Sequence, residues 1–209
     1  MARGSYGWRF DSGRVCLDLL ALDLAAAQRS AAGPERLGQW LTAAGLVPPG
    51  TPLAAVTARW VPPFLELREC VARLVHAQLD GRAEDGALDR LNRLAADAAP
   101  PAPRAVRGDD GGLVRAPLAR PECAALIAAV ARDAVELLTD PVARARLRRC
   151  EGDNCRRVYV DTSRGRRRRW CSSEVCGNRV RVARHRLRTT GSRHDEPHVK
   201  DLEKNSPPR

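Results

Sequence analysis

Four cysteines in one arginine-rich segment constrain this chain more than any other feature. Cys150 and Cys155 enclose four residues, fifteen more follow, and Cys171 and Cys176 again enclose four. Two cysteine pairs at that separation have the spacing of zinc ligands. Four thiolates close a tetrahedral structural site. The segment holds too little apolar material to fold alone, so a bound metal has to supply its folding energy. One zinc ion per chain, held by Cys150, Cys155, Cys171 and Cys176, is the expectation. Cys16, Cys70 and Cys123 lie singly in apolar runs and read as small core residues.

The residues between the pairs suggest a shape. Val158-Tyr159-Val160 is a strand-type run, Asp161 to Gly165 a turn, and the arginines up to Trp170 a return arm, which together predict a hairpin linking the two ligand pairs. In a regular helix Cys171 and Cys176 would point about 140° apart. Cys171 is therefore expected in the turn before a helix and Cys176 near its start, with Ser172 or Ser173 as cap. A knuckle, a hairpin and a ligand-bearing helix make a treble-clef-like zinc finger.

Charge points the same way. The chain carries a formal net charge of +11. Between Arg144 and Arg188 lie 16 arginines and 4 acidic residues, while the rest of the chain has 20 basic and 21 acidic residues. A local block of this kind is the electrostatic footprint of a nucleic-acid surface. The expected contacts are Arg164, Arg166, Arg167, Arg168 and Arg169 on the hairpin, and Asn178, Arg179, Arg181, Arg184 and Arg188 on the following helix. Val180, Ala183 and Leu187 would be that helix's apolar stripe. Arginine can also read guanine in the major groove. Tyr159 and Trp170 are the only aromatics in reach for stacking single strands, which favours duplex DNA. RNA binding, or a zinc-stabilised module for an acidic protein partner, is the alternative. Phosphate loops, HExxH and nucleophile elbows are absent from the sequence, so an enzyme is not expected.

The first 140 residues predict a mainly α-helical domain. Apolar residues make up 44% of the chain and aromatics only 4%, so the core must be built from Leu, Val and Ala. The run from Arg14 predicts a short strand continuing as a helix that ends near Gly33-Pro34. Leu37, Trp40, Leu41 and Ala44 share a helical face that stops at Gly45. Thr51-Pro52 predicts a short helix through Ala58. Phe64, Leu67, Val71, Leu74 and Val75 share a face of a long helix. Leu88, Leu91 and Leu94 belong to another. Arg104 to Ala116 reads as a hairpin turning at Asp109-Asp110-Gly111-Gly112, and Leu126 to Leu137 lie on a further long helix. The expected division is a helical regulatory domain over residues 1–140, a finger over 141–188 and a disordered tail over 189–209. Met1 to Phe10 lacks the apolar core of a signal peptide, so a cytoplasmic protein without membrane contact is expected.

With these residues in view, the segment from Cys150 to Arg188 resembles the CGNR zinc finger, through Cys176-Gly177-Asn178-Arg179, the Arg169-Trp170-Cys171-Ser172 lead-in and the Asp161-x-Ser163 turn. The preceding part is similar to the ABATE domain of stress-induced transcription regulators, in "CLDLLALDL", "LGQWLTAAGL", "LRECVARLVHAQLDG" and "LNRLAADAAP". The family's Leu-Asp-Phe-Val-Asn-Thr start stands here as Leu17-Asp18-Leu19-Leu20-Ala21-Leu22. The resemblance implies a bacterial transcription regulator with a zinc-dependent nucleic-acid-binding end. A small-molecule or protein effector at the helical domain, and pairing into a homodimer, fit that reading.

Overall fold

Phe64, Leu67, Val71, Leu74 and Val75 do form one buried stripe, on helix α3 (Val61–Asp80). Two prolines in its first turn cost nothing there, because those amides have no partner within the helix. It ends at Gly81, whose φ of +65° suits a residue without Cβ. In this computed structural model, which describes residues 8–24, 29–48, 56–108, 110–117, 119 and 122–191, α3 is the central pillar. Helix α1 (Val15–Leu20), α4 (Asp85–Ala96) and α5 (Cys123–Thr139) pack against it, and α4 and α5 pack on each other. Helix α2 (Gly33–Ala43) adds Leu37, Trp40 and Leu41 to the same core and stops before Gly45, whose φ is +71°.

Helix α1 is short and is held by its neighbour. The Cys16 amide donates to Asp133 Oδ2 at 2.9 Å, so a carboxylate on α5 caps it from outside. Arg14 pairs with the same Asp133 at 2.9 Å and with Glu136 at 3.0 Å. The short strand expected from Arg14 is instead helical from Val15, and the irregular segment before it offers its Ser12 carbonyl to the Val160 amide at 2.8 Å. Gly33-Pro34 opens α2 rather than closing the preceding helix, since proline sits well in a first turn. Of the expected helix through Ala58, residues 51–55 lie outside the described residues, and Ala58–Trp60 form a 3₁₀ turn leading into α3.

The predicted hairpin over Arg104 to Ala116 is β1 (Pro103–Arg107) with β2 (Leu113–Pro117), antiparallel with Arg107 opposite Leu113. Gly108 donates to the Gly112 carbonyl across the turn at 2.8 Å; Asp109 lies outside the described residues. Helix α6 (Pro141–Arg144) is capped by Asp140, which accepts the Val142 amide at 2.8 Å.

The finger begins with β3 (Leu147–Arg149), antiparallel to β4 (Val158–Val160), with Arg149 opposite Val158. Here the hairpin differs from expectation. Strand β4 pairs backwards with β3 across the first cysteine pair, not forwards with the arginine arm. The arm is drawn aside by Asp161, a buried carboxylate that accepts the amides of Ser163 at 2.9 Å and Arg168 at 3.1 Å. A loop closed by those bonds leaves few amides of the arm for a ladder. Leu147, Val158 and Val160 are buried in the same core as the helices, so one face of the β3–β4 hairpin completes that core. Helix α7 (Asn178–Gly191) runs past the expected end at residue 188; residues 192–209 lie outside the described residues.

Candidate metal centre and basic surface

A tight knuckle brings the first two cysteines together. The Cys155 amide donates to the Gly152 carbonyl at 3.0 Å, and Asn154 takes a left-handed φ of 59°. A Cβ on Gly152 would stand 3.0 Å from Cys176 Cβ and 3.5 Å from Cys150 Sγ, so a larger residue there would press on the cluster. Cys171 lies before the last helix. Cys176 lies in a single π-turn, Ser173–Gly177, where the Gly177 amide donates to Ser172 O at 3.0 Å. That wider turn resolves the geometric problem posed by a spacing of five, and turns of this kind recur at functional sites.

The four sulfurs converge. All lie within 4.8 Å of one another, with Cys155 to Cys171 at 3.7 Å and Cys171 to Cys176 at 3.6 Å. Zinc–sulfur bonds of about 2.3 Å in a tetrahedron place sulfurs about 3.8 Å apart, so these thiols fit a zinc ion. The Cys171 and Gly152 amides donate to Cys150 Sγ at 3.2 and 3.4 Å. Burial pushes the Cys150 thiol up, but those amides and the neighbouring thiols outweigh it and hold it below its ordinary value. Burial pushes Cys171 and Cys176 up, so metal is needed to make the whole set thiolate. The chain thus carries one four-cysteine zinc site. Of the other cysteines, Cys16 and Cys70 are buried and Cys123 half-buried, each away from the cluster, as expected of core residues.

Behind the cluster sits Tyr159, fully buried, whose hydroxyl donates to the Arg168 carbonyl at 2.6 Å. Burial pushes its phenol pKa up to about 12. Arg168 turns inward. Its guanidinium lies 4.5 Å from the Tyr159 ring centroid and donates to the carbonyls of Asp11, Trp170 and Cys171. Sequence reasoning placed Arg168 with the phosphate-contacting arginines; the structure makes it a strut between the finger and residues 8–14. Nothing in an unbroken run of four arginines distinguishes the inward one.

The other expected contact arginines whose side chains are described face outward. Arg164, Arg166 and Arg167 are exposed on the loop, and Arg179 and Arg181 on the first turns of α7, beside exposed Asn178. Arg169 stacks over Trp170 at 5.3 Å and pairs with Glu151 at 2.5 Å. Trp170 Cε3 lies 3.2 Å from where a Gly177 Cβ would stand, and Arg181 Nη1 lies 3.7 Å from the same point. Trp170 and Arg181 thus both pack against buried Gly177, and with Arg169 over Trp170 they join the loop to the helix. The apolar stripe of α7 is looser than expected: Val180 is half-buried and Ala183 exposed. The side chains of Arg184, Leu187 and Arg188 lie outside the described residues.

A mainly helical body completed by a small four-cysteine finger defines the class of this protein as a zinc-finger protein. Its family follows from the comparisons. Residues 13–141 match ABATE, described as "Putative stress-induced transcription regulator", and residues 146–189 match the CGNR zinc finger. The chain belongs to the ABATE family and carries a CGNR zinc finger. No curated protein matches it. Both families are of regulator and zinc-finger type. No helix among the described residues is long and apolar enough to cross a membrane.

Proposed function

We propose that this protein is a DNA-binding transcription regulator whose zinc finger holds the binding surface and whose helical part, residues 1–140, carries the regulatory input. The observation that supports it is the packing of Trp170, with Arg169 over it, and of Arg181 against the same buried Gly177, which sets the arginine loop beside the start of the helix. A loop rich in arginine and the exposed start of a helix share one face, which suits a duplex. Loop arginines 164, 166 and 167 neutralise phosphates and set register without reading sequence. Asn178, Arg179 and Arg181 lie where a groove-docked helix meets base edges, and Arg184 and Arg188 extend the same helix. Zinc supplies the folding energy and fixes the point from which the helix departs. Its four thiolates also place negative charge beside the start of α7, where the helix dipole favours it.

Selection of bound sequences from random duplex DNA by the zinc-loaded protein tests this reading. Enrichment of one motif, lost after chelation, is the expected result. Equal affinity for all duplexes at low salt only, or preference for structured RNA or an acidic protein, would replace it.

A further inference from the structure

A cavity of about 350 Å³ lies where the helical body meets the finger. Its walls come from Asp18 on α1, Arg68 and His76 on α3, Arg157 and Cys171 of the finger, and Ser12 of the segment that bridges them. Its size falls within the usual range for small-molecule sites.

Two groups in it are incompletely satisfied. Asp18 is only 6% exposed, and its Oδ1 accepts one long bond, 3.3 Å from the Ser12 amide. Arg68 gives one nitrogen to the Leu20 carbonyl at 3.1 Å, but its Nε is buried without a partner. A buried carboxylate and a buried guanidinium nitrogen, both short of partners, are costly unless something else completes them. Burial also lowers the His76 pKa, so its imidazole is neutral at physiological pH and adds no charge. Asp11 does not compete, because its carboxylate is engaged by Arg9 at 2.8 Å.

The charge count selects a ligand. Among the lining residues Arg68, Arg156 and Arg157 are positive and Asp11 and Asp18 negative, a net of +1, so one negative charge neutralises the set. Arginine is suited to bind a carboxylate through two parallel bonds. Asp18 then needs a donor close to that carboxylate, and a neutral donor keeps the balance. We propose that this cavity is the effector site of the regulator and takes a small hydroxy acid, its carboxylate on Arg68 and Arg157 and its hydroxyl donating to Asp18. This rests on the regulator reading above. Because Cys171 lines the same cavity and Arg168 ties its Asp11 wall to the finger, an occupant touches both the helical body and the metal centre. Occupancy is thereby felt at the zinc site and at the loop that bears the outward arginines.

The test uses the full chain loaded with cadmium in place of zinc. L-Lactate, glycerate and mandelate are the probes; propionate, propane-1,2-diol and alanine are the controls. A hydroxy acid should raise the melting temperature and shift the ¹¹³Cd resonance, and propionate and the diol should do neither. Arg68→Gln and, separately, Arg157→Gln should each weaken binding roughly tenfold or more, while Asp18→Asn should erase the preference for lactate over propionate. Absence of any shift with all three hydroxy acids, shifts that survive both arginine variants, or a preference for alanine would overturn the assignment. Duplex binding measured without probes separates the two readings: duplex binding with no probe response removes only the effector site, and probe response without duplex binding removes only the DNA-binding reading.

Discussion

Arg168 covers Tyr159 and is held by it: the guanidinium sits 4.5 Å above the ring while the phenol donates to the Arg168 carbonyl at 2.6 Å. One arginine of a four-arginine run is thereby consumed in building the finger. Arg168→Ala leaves the carbonyls of Asp11, Trp170 and Cys171 short of a donor and should cost about 1–3 kcal/mol. Arg167→Ala, at an exposed neighbour, should stay within about 0.5 kcal/mol. Thermal melts of the two variants check the difference.

Metal content follows from the sulfur geometry. Purified protein should hold one zinc equivalent, and Cys171→Ser with Cys176→Ser should lose it, whereas serine at Cys16, Cys70 or Cys123 should not. Gly152→Ala forces a Cβ to 3.0 Å from Cys176 Cβ and should weaken zinc without removing a ligand. Competition against a chromophoric chelator ranks these variants, and an unchanged affinity for Gly152→Ala would contradict the packing.

Removing the metal should not unfold everything. The core of α3, α4 and α5 stands on its own apolar contacts, but Leu147, Val158 and Val160 would loosen from it. Each contributes about 1.5–3 kcal/mol when buried. Chelation should preserve most helical circular dichroism and lower the melting temperature by roughly 10 °C. Complete loss of helical signal on chelation would show that the helical body depends on the finger.

The two kinds of outward arginine should respond differently to salt. Arg164→Ala or Arg167→Ala should weaken binding to specific and scrambled duplexes alike, and lower the salt slope by about one per phosphate contact. Arg181→Ala should cost about 1–3 kcal/mol on the preferred site and relax its sequence. Anisotropy titrations at several salt concentrations distinguish the two. Equal losses on both duplexes for Arg181→Ala would leave only phosphate contact.

Asp18 sets a pH dependence. Burial raises its pKa to about 6, against the lowering effect of Ser12. The folded state therefore holds this proton more tightly than the unfolded chain does. Stability from this site is fullest below about pH 4 and is lost as pH rises towards 6. At pH 7 the ionised carboxylate costs up to about 3 kcal/mol. Asp18→Asn should be the more stable form at pH 7 and lose that advantage at pH 4. Urea melts at both values give the comparison, and a pH-independent difference would be inconsistent with a buried carboxylate.

How much of this could be read from the residues depends on how local each feature is. The zinc ligands were legible because a tetrahedron of thiolates demands four cysteines at close spacing, wherever the chain goes. The inner stripes of α3 and α5, and the stop at Gly45, were legible because helical periodicity and left-handed φ are properties of the local backbone. The partner of β4, the remote cap of α1 by Asp133 and the inward turn of Arg168 were not. Each rests on a group that the tertiary fold delivers: the ladder of β3, a carboxylate more than a hundred residues away, and a ring with three carbonyls. The sequence by itself determined which residues can hold metal, which faces are apolar and where the positive charge collects. Only the tertiary structure decided which arginine is spent on the interior and which carboxylate lies half-satisfied beside the metal centre, because burial and hydrogen bonding depend on what packs alongside.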